Sequence, residues 1–182
     1  MDEASDGLRA AKQRIRAEVA ETMPDDPGAA SAVIVDRLEA VVGPSDRVLT
    51  FSHLPDEPDL SGFLRPRMLL TRTPEEGWLS IHRVDGPLER HRWGFLQPGA
   101  GAEEVDPDDV QVVLVPGVAF GEDGYRIGHG RGYYDELLHR IPLAVRIGVT
   151  WECRVLPSLP VEAHDVRMHG IVSEQRVRRL GQ

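Results

Sequence analysis

Residues 126–138, RIGHGRGYYDELL, place glycines at 128, 130 and 132 between Arg126, His129 and Arg131, then run into Tyr133, Tyr134 and Asp135. Glycines let backbone N–H groups approach an oxyanion without a Cβ in the way. Guanidinium groups offer paired donors to phosphate oxygens, and a helix N-terminus after the turn adds partial positive charge. The stretch follows the apolar run VVLVPGVAF, residues 112–120. Ligands of open α/β sheets bind beyond the carboxyl ends of strands, which is where this turn must lie. The pattern therefore reads as a phosphate cradle. GxxxxGK[ST] occurs nowhere, and GxGxG late in the chain is not the GxGxxG of a dinucleotide fold. A glycine-rich turn alone often only turns the chain; the arginines and the strand-to-helix setting are what favour an anion.

Other residues have two readings each. Asp135 is either a first-turn acid favoured by the helix dipole or a magnesium ligand beside the phosphates it would neutralise. Of Tyr133 and Tyr134, one must turn toward the core, since aromatic side chains pack more often than they react. Glu57 in PDEPD is a member of a solvated acidic turn or an acceptor for a ligand. Trp93 is core or a stacking surface, and His164–Asp165 reads by default as a cap. Lys12 is the only lysine among 21 basic residues, either a survivor of an arginine-rich composition or an ammonium kept for use. On an exposed helix position its replacement is expected to cost only tenths of a kcal/mol in stability. No histidine pair shows HExxH spacing, and the single cysteine, Cys153, excludes an intrachain disulfide.

These residues must be positioned by alternating strands and helices. Leu8, Ala11, Ile15 and Val19 recur at helical spacing over 6–23, and Val35, Leu38 and Val42 mark a second helix over 29–42. RVLTF, MLLTR, WLSIHRV, AVRIGVTW and GIVSE read as strands, 86–109 as a long connection, and 132–140 as a helix. QVVLVPGVAF, continuously apolar, predicts a central parallel strand buried on both faces. The expected architecture is a single α/β domain over 1–182. A net charge of −9 disfavours non-specific nucleic-acid binding, so an anionic ligand must be held by local cations. No apolar run approaches the ~20 residues that cross a bilayer, and the acidic N-terminal stretch has no signal-peptide character. A cytoplasmic protein, monomeric or weakly dimeric, with no nucleic-acid or membrane partner is expected.

VLVPGVAFGEDGYRIGHGRGYYDELL, residues 113–138, closely resembles the signature of the 5-formyltetrahydrofolate cyclo-ligase family, roughly VPGLAFD-x-x-G-x-RLG-x-G-x-GYYD. KQRIR resembles that family's N-terminal K-x-x-x-R, PDEPD its acidic substrate loop, WGFLQP its tryptophan segment and LPVEAHDV its P-x-x-x-H/N-D element. The resemblance runs in order over nearly the whole chain. It implies a three-layer α/β/α fold with a mostly parallel, Rossmann-like sheet. It also implies ATP as co-substrate, Mg²⁺, and a folate substrate whose formyl oxygen is phosphorylated before ring closure. Carried over by position, Lys12 and Arg16 would hold ATP phosphates, and Arg126 with Gly128, His129, Gly130, Arg131, Gly132, Tyr133 and Tyr134 would complete the cradle. Lys12, Arg126 and Arg131 would be catalytic. Asp135 and Asp165 would bind magnesium, and Glu57, Trp93 and Tyr133 would contact the folate. Four departures stand out. Gly121 replaces a common aspartate, Cys153 a glutamine, and Thr71 a proline; a second basic cluster is missing after Arg16. They leave open a cyclodehydratase acting on another formamide or amide, and, less in keeping with the retained charges, a non-catalytic binding module.

Overall fold

The computed structural model describes residues 3–44, 46–63 and 68–181. Helix α1 (Glu3–Val19) leads, followed by α2 (Pro27–Val41), whose Asp26 caps the first turn by accepting from the Ala29 amide at 2.9 Å. A seven-stranded sheet is then assembled from β1 (Val48–Thr50), β2 (Leu69–Arg72), β3 (Ser80–Arg83), β6 (Val112–Pro116), β9 (Val145–Val149), β11 (Gly170–Val172) and β12 (Val177–Arg179). Its order is β12-β11-β9-β6-β1-β2-β3, with the five inner strands parallel and both edge strands antiparallel.

β6 is central, as its unbroken apolar run predicts. Side chains alternate across the pleat, so Val112 and Leu114 face one core and Val113 and Val115 the other. On the first face α2 buries Ile34 and Leu38 completely, a contribution of about 1.5–3 kcal/mol for each such side chain. On the second face α3 (Tyr133–Arg140) buries Leu137 and Leu138. One helix on each face of a mostly parallel sheet is the expected three-layer arrangement.

Several local expectations are corrected. The run 111–120 is two strands: the chain leaves the sheet at Gly117, and β7 (Ala119–Gly121) joins β8 (Arg126–Ile127) and β10 (Val155–Leu156) in a small second sheet. A Cβ at Gly117 would stand 2.8 Å from the Phe120 ring, so the bare position lets that ring pack against the backbone where the chain leaves the sheet. The connection 86–109 contains a hairpin, β4 (Leu88–Arg90) and β5 (Leu96–Pro98). α1 stops at Val19, four residues short of the expected end. Its apolar stripe rests on Val118, Ala119, Ile127 and Leu159, with Val19 buried and Ile15 partly so.

Candidate active site

The carboxyl ends of β1, β2 and β6, the glycine turn, one face of α1 and the β4–β5 tip surround a cavity of about 850 Å³. Every residue expected to hold a ligand lines it: Lys12, Arg16, Glu57, Trp93, Arg126, the turn from Gly128 to Asp135, and Asp165. The i, i+3, i+4, i+7 spacing that makes a helix face explains how α1 contributes. Arg9, Lys12, Gln13 and Arg16 form its cavity stripe; Arg9 and Gln13, unremarked in the sequence, were legible from that period alone.

Gly130 (φ 89°) and Gly132 (φ 73°) adopt left-handed backbone that L side chains avoid. The turn is thereby folded tightly against Arg16, whose Nε donates to the Gly128 carbonyl at 2.7 Å. Among the described residues no side chain caps α3, so first-turn amides are left for another acceptor. Arg126 is buried on β8 and donates to Asp135 Oδ1 at 2.8 Å. Its Nε has no partner among the described residues. Burial pushes this guanidinium below its ordinary value, opposed by the carboxylates of Asp135 and Asp165. A buried donor without an acceptor beside a glycine turn fits a ligand rich in acceptor oxygens.

Lys12 overturns the expectation of an exposed position. It is 7% exposed, and its ammonium donates to Glu162 at 2.8 Å and to both oxygens of Asp165 at 2.6 and 2.9 Å. Asp165 also accepts from the Glu162 amide at 2.7 Å. Lys12 holds the Glu162 carboxyl below its ordinary value. Glu162, though inside the quoted LPVEAHDV, escaped notice; its place three residues before Asp165 in one turn was the available signal. Glu162, His164 and Asp165 bring potential cation-ligating atoms within 4.8 Å of one another. Asp135, the other expected magnesium ligand, is outside that group and paired with Arg126. Magnesium is usually held by one or two carboxylates with substrate phosphates completing its shell, and Glu162 and Asp165 supply two carboxylates on the cavity wall.

Glu57 is buried on its loop, accepting from the Leu54 amide at 2.9 Å and facing His129 Nε2 at 3.2 Å. The hydrogen bond to Glu57 raises the His129 imidazole above its ordinary value. The acidic loop is thus one buried acid between the half-buried Asp56 and Asp59, not a uniformly solvated turn. Trp93 sits at the hairpin tip with His91 and Phe95, whose rings stack at 4.6 Å. Arg131 lies over Trp93, 4.5 Å from the ring centre. The Tyr134 hydroxyl is buried without a well-aligned partner among the described residues, next to Thr71, and burial raises its pKa. Of the four departures, Thr71 lines the cavity, whereas Gly121 and Cys153 do not. The bare Gly121 leaves room for the Asp123 carboxylate, which a Cβ there would meet at 2.2 Å.

Comparisons with known proteins establish the family and the fold. Residues 3–174 match the model of the 5-formyltetrahydrofolate cyclo-ligase family. The 5-formyltetrahydrofolate cyclo-ligase of Mus musculus is 28% identical over 95 residues, covering 48% of this chain and 47% of the mouse protein. That of Mycolicibacterium smegmatis is 31% identical over 100 residues, 47% and 52% of the two chains. The chain spans about half the length of the curated relatives it matches. The solution structure of Aquifex aeolicus 5,10-methenyltetrahydrofolate synthetase superposes with a TM-score of 0.79 at 28% identity, covering 96% of this chain and 93% of that one. With the family match running from α1 through the last parallel strand and enclosing every cavity-lining residue, the chain belongs to the 5-formyltetrahydrofolate cyclo-ligase family.

Proposed function

We propose that the chain converts 5-formyltetrahydrofolate and ATP into 5,10-methenyltetrahydrofolate, ADP and phosphate. The observation that carries the reading is the meeting of two chemically different walls in one cavity. One is a glycine turn with Lys12, Arg16 and Arg126; the other is Glu57 with the Trp93 hairpin. The first suits a polyphosphate and the second a flat heterocycle with N–H groups to donate.

Phosphoryl transfer is catalysed by positioning and charge stabilisation, so no nucleophilic side chain is required. Arg126 and Lys12 would bind the transferring phosphoryl group, and Arg16 would brace the turn whose amides hold the neighbouring phosphates. Tyr133 and Tyr134 would close the cradle. Asp135 and Asp165 would hold Mg²⁺, which supplies charge neutralisation between phosphates. Glu57 would accept from the pterin, kept in place by Leu54 and His129. Trp93 would stack on the substrate beneath Arg131. The formyl oxygen takes the γ-phosphoryl group, converting a poor leaving group into phosphate. The anilino nitrogen then forms the new C–N bond, its proton is lost, and the C–O bond breaks with departure of phosphate. The test is incubation with 5-formyltetrahydrofolate, ATP and Mg²⁺, following the near-ultraviolet absorbance of the methenyl product. Absence of that absorbance with ATP bound would refute the assignment.

A further inference from the structure

Arg154 is 1% exposed and lies outside the cavity, yet its guanidinium joins the two elements that carry the opposite walls. Nε donates to the Thr22 carbonyl at 2.9 Å and Nη2 to the Ala20 carbonyl at 3.4 Å, just beyond the end of α1. Nη1 donates to Asp56 Oδ2 at 3.1 Å. The same turn binds Asp56 a second time, through Trp151 Nε1 to the Asp56 carbonyl at 2.9 Å. Asp56 immediately precedes Glu57. α1, in turn, carries Lys12 and Arg16.

We infer that Arg154 is a positioning residue that sets the distance and orientation between the nucleotide wall and the folate wall. α1 needs such a fastening, because its apolar attachment is small: Val19 and partly buried Ile15 on the minor sheet. A cation at a helix C-terminus also meets the negative end of the macrodipole, and a planar guanidinium carries its donors on three separate nitrogens in a fixed fork, so it reaches carbonyls on one segment and a carboxylate on another. Each wall has its own local support. The glycine turn is held by Arg16, and Glu57 by Leu54 and His129. Removing Arg154 should therefore spare each binary complex and damage the alignment between them. An ångström of misplacement between reacting groups costs about 10²-fold in rate.

This inference rests on the proposed reaction, and the experiment keeps the two apart. Arg154→Met and Asp56→Asn, singly and together, are compared with the wild type in full-length protein. The readouts are calorimetric Kd for a non-hydrolysable ATP analogue, Kd for 5-formyltetrahydrofolate, and kcat at saturation. Arg154→Met should lower kcat by roughly 10–100-fold with both binary Kd values within about threefold, and the double variant should be no slower than Arg154→Met. Unchanged kcat in folded Arg154→Met, a loss confined to one ligand's Kd, or losses that multiply in the double variant would overturn the role. If Arg154→Met does not fold, Asp56→Asn decides: its carboxylate is 35% exposed, and its kcat must fall with Kd values preserved. A wild-type chain that makes no methenyl product overturns the reaction instead, independently of Arg154.

Discussion

Replacing Lys12 by alanine removes the one ammonium that Glu162 and Asp165 share. The helix itself favours alanine by a few tenths of a kcal/mol, so any loss must come from the carboxylates left behind. Their side chains are 17% and 7% exposed, and breaking a buried ion pair from one side costs about 3–5 kcal/mol. Allowing for the water that still reaches Glu162, the variant should lose about 2–4 kcal/mol at pH 7. For a chain of this size that is a fall in Tm of about 5–15 °C. The pH dependence identifies the cause. In the wild type Lys12 depresses the Glu162 pKa, so this contribution is present above the ordinary carboxylate value and fades as pH falls through the lowered one. In Lys12→Ala, acid instead relieves the unpaired charge. The stability gap between the proteins should therefore narrow from pH 7 to pH 4, read by urea unfolding at several pH values. A gap under about 1 kcal/mol at pH 7, or one that does not narrow in acid, would refute the reasoning. Lys12→Arg keeps the charge and should retain more stability and measurable ATP binding while losing most turnover, because a planar guanidinium cannot occupy the ammonium's point.

Arg126→Ala should reduce kcat/KM by about 10²–10³-fold, as for other preorganised charged donors; near-normal turnover would remove Arg126 from the phosphate wall. Glu57→Gln should weaken folate binding by about one to two orders of magnitude, the worth of a charge-assisted hydrogen bond, with ATP affinity nearly unchanged by calorimetry. The same substitution should let the His129 imidazole titrate lower in NMR, since Glu57 is what raises it. Away from the site, Glu152 is held down to about 2 by Arg178, Ser173 and Arg176. Its contribution is full above the ordinary carboxylate value and is lost as pH falls from there through about 2, so Glu152→Gln should cost about 1–3 kcal/mol at pH 7 and roughly half of that or less at pH 3 by urea unfolding.

What was legible in the sequence is what short-range chemistry determines. Glycines, arginines and an acid within ten residues, following an apolar strand, point to a tight, positively charged turn beyond the strand ends, because left-handed backbone and strand burial are local properties. Helical period placed Lys12 and Arg16 on one face of α1 for the same reason. The strand alternation that splits β6 between two cores was equally local. The tertiary structure alone decided which charges meet. Lys12 finds its carboxylates 150 and 153 residues away, so an apparently exposed lysine is buried. Arg131, flanked in sequence by Gly130 and Gly132, lies over Trp93 of a hairpin that the proline- and glycine-rich connection concealed. The run after β6 changes sheets where the Phe120 ring packs against Gly117 of the same run and Gly148 of β9, and the second of these contacts was not visible in the run itself. Arg154 reaches across 98 and 132 residues to Asp56 and Thr22. Such partners are fixed by chain topology and burial, where a charge must find whichever opposite group the fold brings near.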